Sequence, residues 1–238
     1  MTTRKNRMQN ISKKLRSYYE DINYVNDAET YAKTHREKRL KVLSKYVDIK
    51  NLRSTLEVGC GSGVHKHDFK GWIGVDISRT ALKKALPSNV IVASADKLPF
   101  KNEIFDLVVS FNLIEHLYNP EEFLDECLRV CRKNGYIAIF TPQLKIKTLI
   151  YLLTFETLKQ FKFMFLKFLG VKYNLRPNFK SPDYTKIGGD ADAVYLTDFL
   201  DIMLFLKSRK CKILNEINRR YVFWLKRVDN GCIIALKG

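Results

Sequence analysis

The sequence predicts an α/β fold in which strands of a parallel sheet alternate with helices, and three observations lead to this prediction. Five short apolar runs follow one another from Arg53 onward, in the order TLEVG, WIGVD, VIVAS, FDLVVSF and YIAIF, and turn residues separate them. Helical patterns such as PEEFLDECLRVCRK stand between some of these runs, as βα repeats require. A glycine-rich stretch, GCGSG, begins within the end of the first run.

The chain before the first strand predicts a helical cap over residues 1–50. This segment is rich in Lys, Arg and Tyr, and Tyr31, His35, Arg39 and Val42 or Leu43 recur near helical spacing. Its basic residues are followed by no apolar core, so we expect no secretory signal.

The helix predicted at Pro120 has clear start and stop signals. Asn119 is the expected N-cap and Pro120 occupies the first helical position. The basic residues of the expected last turn are Arg129, Arg132 and Lys133, with Gly135 beyond the end. The apolar residues predicted to form one buried stripe are Phe123, Leu124, Cys127, Leu128 and Cys131.

The alternating pattern stops after TPQ at 141–143. We interpret residues 144–190 as an insertion, and a helical pattern resumes at about Ala191. The C-terminal segment predicts two strands around a turn at Asp229, Asn230 and Gly231, and such a close connection requires an antiparallel pair. The predicted organisation is a cap over 1–50 and a cofactor-binding domain over 51–238.

Composition restricts the partners. The chain has 238 residues, 46% of them hydrophobic, and a formal net charge of +17. The charge indicates anionic partners such as nucleic acid, phospholipid head groups or phosphorylated substrates, or else a lysine-rich surface that is simply solvated. Five cysteines without a CxxC pair indicate a reducing compartment, so a cytoplasmic location is expected. The apolar stretch Thr148 to Phe155 is too short to span a membrane.

The glycines and the aspartate that follow the first two strands predict a cofactor site. Gly59, Gly61 and Gly63 lack side chains that would block the approach of a ligand to the backbone. Asp76 ends the second strand, where a carboxylate can accept hydrogen bonds from both hydroxyls of a ribose. The carboxyl ends of parallel strands meet at one edge of the sheet, so an adenosine-containing cofactor is predicted there.

The glycine spacing argues against a nicotinamide dinucleotide. The fingerprint GxGxxG would place its third glycine at position 64, where this chain has Val64. The third and fourth strands lead to Asp96 and Asn112, so four strand ends are expected to converge on one site.

With these features the chain resembles the class I S-adenosylmethionine-dependent methyltransferases. Within that class it is most similar to the type 11 group, which includes ubiquinone-biosynthesis O-methyltransferases. The motifs LEVGCGSG, GVDIS, ADKLPF, FDLVVSFNLIEHL, PEEFLDECLRV and NGYIAIFTPQ carry the resemblance in family order. It implies a Rossmann-like three-layer sandwich whose seven-stranded, mostly parallel sheet closes with an antiparallel hairpin. It also implies S-adenosylmethionine as cofactor and S-adenosylhomocysteine as product.

The resemblance assigns roles to residues of this chain. Those assigned to the cofactor are Glu57, Gly59, Cys60, Gly61, Gly63, Asp76, Ile77, Asp96, Lys97, Asn112 and Leu113. Within this set, Glu57 and residues 59–63 surround the amino-acid part of the cofactor and Asp76 binds the ribose. Asp96 contacts the adenine amino group and Asn112 lies near the methionine moiety.

One departure from the family pattern lies between Gly63 and Gly71. Asp76 follows Gly59 by only 17 positions, against about 20 in a dinucleotide-type unit, which predicts a shortened helix or a turn. His65, His67 and Asp68 imitate a metal site in this stretch, but no other ligand cluster supports one, so a solvated turn is expected.

His116 is the candidate general base, because it follows the fourth strand and an imidazole can take a proton from a hydroxyl acceptor. The alternative is that Glu115 and His116 begin the next turn and hold the cofactor loop. Some ubiquinone-pathway relatives add a metal through an acidic residue three positions before the Glu-His pair, where this chain has Asn112, so no metal is expected.

The acceptor pocket in this family is built from the cap and the insertion. Lys159, Lys162 and Lys167 fall within about 140° of helical arc, which leaves an apolar face. This pattern predicts a lid over an apolar acceptor, a helix resting on an anionic membrane at the inner face, or a lobe packed on the domain.

Three functions therefore remain open. The first is methyl transfer to oxygen or carbon of a small-molecule, lipid-linked or glycan acceptor. The second is nucleic-acid methylation, which the charge favours and the SFNL stretch in place of an NPPY-like tetrad weakens. The third is a regulator that binds the cofactor without catalysis.

Overall fold

A computed structural model describes residues 18–86, 89–117, 119–141, 199–215 and 231–238, with the backbone alone at 199 and 200. Its seven strands are β1 (Thr55–Val58), β2 (Trp72–Asp76), β3 (Val90–Val92), β4 (Phe105–Phe111), β5 (Cys131–Thr141), β6 (Lys212–Ile213) and β7 (Gly231–Leu236). They form one sheet in the order β3-β2-β1-β4-β5-β7-β6. β1 to β5 are parallel to one another, and β7 is antiparallel to both β5 and β6.

The predicted fold class is confirmed, and the five apolar runs became β1 to β5. β4 corresponds residue for residue to FDLVVSF and is buried along its whole length, as expected for a strand covered on both faces. The parallel strands bring their carboxyl ends to one edge of the sheet. The proposed site residues at 59–63, 76, 96 and 112 all follow strands at that edge.

Helices cover both faces of the sheet. The helices are α1 (Ile22–Leu43), α2 (Arg79–Ala85), α3 (Pro120–Val130) and α4 (Phe199–Ser208), with short 3₁₀ helices at Ile49–Asn51 and Ile114–His116. Successive residues of β4 enter different cores: Val108 packs in the same cluster as Phe123 of α3, whereas Leu107 packs in the cluster that contains Leu43 of α1. The result is the predicted three-layer arrangement. No helix among the described residues is both long and apolar enough to cross a membrane.

α1 is the described part of the predicted N-terminal cap. Asp21 begins the helix by accepting hydrogen bonds from the backbone N–H groups of Asn23 and Tyr24 at 2.8 and 3.1 Å. The buried residues of this largely polar helix are Val25, Arg39 and Leu43. The buried face of this helix thus contains an arginine between two apolar residues. A charge inside a protein needs a partner, so Arg39 must be paired with another group.

The predicted end of α3 is wrong. The helix begins as expected, with Asn119 at the N-cap and Pro120 at its first position, but it ends at Val130 and Cys131 opens β5. The backbone N–H of Ile104 donates to the carbonyl of Val130 at 2.9 Å, and Cys131 pairs with Phe105. Pairing with the neighbouring strand therefore ends the helix. Arg132 and Lys133, predicted in the last helical turn, lie on the exposed start of β5. All five residues of the predicted apolar stripe are buried, as expected.

The C-terminal antiparallel pair is confirmed, and its predicted turn is partly wrong. Lys212 pairs with Leu236, and Gly231 is the first residue of β7, where it pairs with Thr141. Gly231 is therefore part of the sheet, while Asp229 and Asn230 lie outside the described residues. The insertion at 144–190, the helix start near Ala191, the amphipathic face marked by Lys159, and residues 1–17 of the cap also lie outside them.

Candidate cofactor site

The glycine-rich loop after β1 is shaped by backbone conformations that side chains rarely adopt. Gly59, Gly61 and Gly63 have φ angles of +74°, +53° and +69°. The N–H groups of Gly59 and Cys60 donate to the carbonyl of Val75 at 2.7 and 3.0 Å, which ties the loop to the end of β2. A Cβ atom built on Gly61 would meet no atom within 4 Å. The loop therefore borders open space at Gly61.

Asp76 joins this loop to the turn that follows β2. Its Oδ2 accepts from the N–H of Gly61 and its Oδ1 accepts from the N–H of Ser78, both at 2.8 Å. Burial raises the pKa of this carboxyl group, and the backbone donors oppose that change. Three backbone N–H groups, of Gly61, Ile77 and Ser78, interact with this carboxylate, and a carboxylate has about four acceptor positions, so one remains for a ligand. Ile77, beside it, is exposed.

Asn112 and Leu113 bring the end of β4 to the same loop. Asn112 has a φ angle of +55°, a conformation that Asn tolerates better than most residues. Its side-chain amide donates to Glu115 Oε1 at 3.2 Å. Leu113 packs on the glycine loop, since a Cβ atom at Gly59 would lie 3.0 Å from Leu113 Cδ1. The predicted convergence of β1, β2 and β4 on one place is present.

Arg39 of α1 also belongs to this site, whereas its sequence pattern predicted only a place in the helical repeat of the cap. It is only 2% exposed, and its Nη2 donates to Asn112 Oδ1. The guanidinium lies 5.2 Å from the centroid of the Phe111 ring, and burial lowers its pKa. Its buried Nε has no hydrogen-bond partner among the described residues. A signal was available, because Arg39 stands four residues before the apolar Leu43 on one helical face.

Glu57 is buried behind the loop instead of facing the open space. Its Oε2 accepts from Trp72 Nε1 at 2.7 Å, and its Oε1 lies 3.1 Å from His65 Nδ1. Both oxygens thus contact protein groups. The assignment of Glu57 to the amino-acid part of a cofactor remains a prediction. The geometry indicates that Glu57 supports the glycine loop from behind, through its contact with His65 in the segment 63–71.

The segment between Gly63 and Gly71 is a series of turns, as the short spacing predicted. Its expected exposure is wrong for His65, which is 2% exposed and stacks on Phe111 at a centroid distance of 4.1 Å. Asp68 is paired with Arg36 of α1. Without a helix, the turns carry His65 inward to Glu57. Among the described residues, no three His, Cys, Asp or Glu side chains are grouped to hold a metal ion.

The other candidates differ in their surroundings. Asp96 and Lys97 are exposed in the turn after β3, and Ala93 N–H in the same segment donates to the Asp76 carbonyl at 3.1 Å. Cys60 is buried, and burial raises the pKa of its thiol well above the ordinary value, so it is an unreactive packing residue. Gly63 packs against Ala85 of α2, whose Cβ atom would lie 3.0 Å from an added Cβ.

His116 lies in the 3₁₀ helix after β4, close to the same edge of the sheet. Its Nε2 is 3.7 Å from Glu115 Oε1, and its side chain is 14% exposed. Glu115 is buried, accepts from Thr141 Oγ1 at 2.9 Å, and has a pKa raised by burial. The His116 ring also meets the edge of Tyr19 at 6.4 Å between centroids. His116 therefore combines an anionic neighbour with partial access to solvent.

Residues 56–139, which span most of β1 to β5 and all the site residues predicted from the sequence, match the family model described as a methyltransferase domain, of the type 11 group. These residues belong to a methyltransferase domain. Its aligned part is 35% identical over 98 residues to a probable S-adenosylmethionine-dependent methyltransferase of Mycobacterium tuberculosis, covering 38% of this chain and 36% of the relative. The domain is also 26% identical over 133 residues to the ubiquinone biosynthesis O-methyltransferase of Pelagibacter ubique, covering 51% and 55% of the two chains.

Solved structures share the fold of this methyltransferase domain. The magnesium protoporphyrin IX methyltransferase of Synechocystis, solved with bound SAH, superposes with a TM-score of 0.58 and 14% identity, covering 95% of this chain and 100% of the other. The sequence matches, in contrast, span about half the length of curated relatives or less. The methyltransferase domain is thus the shared part.

Proposed function

We propose that this chain is an S-adenosylmethionine-dependent methyltransferase. The observation that carries the proposal is the hydrogen bond from Gly61 N–H to Asp76 Oδ2 at 2.8 Å, beside open space at Gly61. It joins a backbone surface free of side chains to a carboxylate with an unused acceptor position. An adenosine-containing ligand needs both, for its ribose hydroxyls and for close packing on the backbone.

The residues present fit this cofactor. Asp76 is suited to the ribose hydroxyls, and the exposed Ile77 beside it offers apolar surface to the base. The buried guanidinium of Arg39, with an Nε that no described residue bonds, is suited to the carboxylate of the amino-acid part. When bound, the cofactor supplies an activated methyl group on a sulfonium. The protein then has to orient the acceptor and exclude water.

For an acceptor that loses a proton, we propose His116 as the general base. Glu115, 3.7 Å from the imidazole, favours the protonated ring that proton transfer forms. His116→Ala is expected to keep cofactor affinity within about twofold and to lower turnover about a hundredfold or more. Unchanged turnover on the true acceptor would assign His116 to the alternative role of holding the loop.

We infer a small-molecule, lipid-linked or glycan acceptor, methylated at oxygen or carbon. Support comes from the apolar and lysine-containing sequence of the insertion, and from the relative in Pelagibacter ubique, which is named for ubiquinone biosynthesis. We further propose a cytoplasmic enzyme, on the basis of the cysteine usage, whose lysine-containing insertion contacts anionic lipid at the inner membrane face. Sedimentation with anionic vesicles at low salt tests that contact, and protein left in the supernatant would contradict it.

A nucleic-acid acceptor is the second candidate, and the charge of the chain favours it. The net charge is +17, and residues 1–17 contain six basic residues and no acidic one. Retention on heparin that decreases steeply with salt is expected of such an enzyme. Methylation of RNA or DNA in vitro would then decide between the two acceptor classes.

Calorimetric titration with S-adenosylmethionine and S-adenosylhomocysteine tests the proposal, with Asp76→Ala as the variant and Glu29→Gln as the control. Glu29 lies on α1 and contacts Lys33 and Lys84, away from the glycine loop. Binding that only the Asp76 variant weakens supports the cofactor assignment. Absence of binding by the folded protein would refute it, and binding without turnover on any acceptor would support a regulator.

A further inference from the structure

The four residues that lead into α1, Tyr18 to Asp21, form a strap that contacts two loops of the methyltransferase domain. Glu20 accepts hydrogen bonds from the N–H groups of Arg79 and Thr80 at 3.0 and 2.8 Å, and from Thr80 Oγ1 at 2.7 Å. Ser78 Oγ lies at 3.5 Å from the same carboxylate. A residue distant in sequence therefore supplies an acceptor for the first N–H groups of α2, which are otherwise unsatisfied.

The loop that Glu20 holds is the loop of the candidate ribose carboxylate. Ser78 donates its N–H to Asp76 and its Oγ accepts from Ala81 N–H at 3.0 Å. Glu20 thus fixes the chain two residues beyond Ile77, at the point where α2 begins. Its contacts reach the cofactor site through Ser78.

The neighbouring residue of the strap contacts the opposite side of the site. The Tyr19 ring meets His116 edge-on at 6.4 Å and Tyr24 at 5.4 Å between centroids. His116 follows β4, whereas the residues that Glu20 contacts follow β2. β1 lies between β2 and β4 in the sheet. The strap therefore passes across the edge formed by the carboxyl ends of the strands, where the glycine loop follows β1.

We propose that Glu20 is a positioning residue that latches this strap over the cofactor, so that S-adenosylmethionine enters and its product leaves only when Glu20 releases the start of α2. The inference rests on the proposed function, because it requires that the ligand lie between the strap and the glycine loop. It adds that Glu20, outside the family match at 56–139, controls the rate of cofactor exchange.

The latch predicts an unusual kinetic effect. Glu20→Ala removes three hydrogen bonds to a carboxylate, and the loss of even one such bond raises the population of the open strap about tenfold. If exchange requires opening, both the association and the dissociation rate constants for S-adenosylhomocysteine increase by about this factor. A contact that only stabilises the fold would leave both rate constants of the folded protein unchanged, and a contact that only stabilises the bound state would raise the dissociation rate constant alone.

Stopped-flow measurement of tryptophan fluorescence with S-adenosylhomocysteine tests the latch in Glu20→Ala and the milder Glu20→Gln. Glu29→Gln is the matched control, because Glu29 joins the same two helices through Lys84 at 2.6 Å without touching the strap. We expect both rate constants to increase at least about tenfold in the alanine variant and by a smaller factor in the glutamine variant. The control should stay within twofold of the wild type.

An association rate constant that is unchanged or lower in both Glu20 variants would overturn the latch. The same result in Glu29→Gln as in Glu20→Gln would also overturn it, because the effect would then belong to helix docking in general. Failure of the wild-type protein to bind S-adenosylhomocysteine is a different outcome and contradicts the proposed function itself. Circular dichroism confirms that each variant compared is folded.

Discussion

Gly61→Ala separates a loop that cradles a ligand from a loop that only turns the chain. An added methyl group at this position meets no protein atom within 4 Å, so the folded domain has room for it. The cost to folding is the left-handed backbone alone, with a φ angle of +53°. That conformation costs a residue with a Cβ atom about 1–2 kcal/mol, or about 2–8 °C in Tm for a protein of this size.

The effect on binding should be larger. The methyl group would occupy open space next to the N–H that donates to Asp76, where we place the cofactor. A ligand kept away from the backbone loses its hydrogen bond to the Asp76 carboxylate, and the loss of one hydrogen bond to a charged group weakens binding by about 10- to 100-fold. We therefore expect the Kd for S-adenosylhomocysteine to increase by about this factor while the domain stays folded.

Gly63→Ala is the matched comparison, because its φ angle is +69° but its Cβ atom would lie 3.0 Å from the Cβ of Ala85. This variant should lose more stability than Gly61→Ala and less affinity. Calorimetry and thermal unfolding of both variants measure the two quantities. A Gly61→Ala protein that binds S-adenosylhomocysteine with a Kd within threefold of wild type would refute the placement of the cofactor on this loop.

Three further predictions follow from the same geometry. Arg39→Met should weaken binding of S-adenosylhomocysteine by about 10- to 100-fold, the value of a charged hydrogen bond. Binding of 5′-methylthioadenosine, which lacks the carboxylate, should be unaffected in calorimetry. Equal losses of affinity for the two ligands would contradict the carboxylate assignment. Gly71→Ala should prevent recovery of folded protein or lower Tm by more than about 10 °C. The added Cβ atom would lie 2.0 Å from the Arg53 carbonyl oxygen. The backbone distortion that relieves this contact lowers the free energy of unfolding by about 4 kcal/mol or more. Burial raises the pKa of the Asp76 carboxyl group above its ordinary value, so the folded state holds this proton more tightly than the unfolded chain. The free energy of unfolding of wild type relative to Asp76→Asn should therefore decrease as pH rises through the titration range of this carboxyl group. Urea titrations that give a constant difference would contradict this prediction.

The strands and the glycine loop were predictable because their signals are local. Apolar runs of strand length mark β1 to β5, and buried strands need such runs whatever the rest of the chain does. The contact between Gly61 and Asp76 was also within reach, since parallel strands place their carboxyl ends together. The boundary between α3 and β5 was not, because Cys131 continues the helical stripe and leaves the helix only by pairing with Phe105.

His65 and Arg39 show where local pattern fails. Both are polar residues, and exposure is the ordinary expectation for such residues. His65 is buried because Glu57, eight positions earlier, lies 3.1 Å from its Nδ1 and Phe111 stacks on its ring. Arg39 is buried because Asn112, 73 positions later, accepts from its guanidinium.

The sequence by itself determined the order of strands and helices, the left-handed glycine turns and the carboxylate at the end of β2, because each depends on the conformational preferences of residues near one another in the chain. Only the tertiary structure decided which side chains face the open space and which support it from behind. Glu57 is enclosed by Trp72 and His65, whereas Arg39 and Glu20 reach the site from a separate segment. The physical reason is that a buried polar group is held by whichever partner the packed fold brings within hydrogen-bond distance, and that partner has no required position in the sequence.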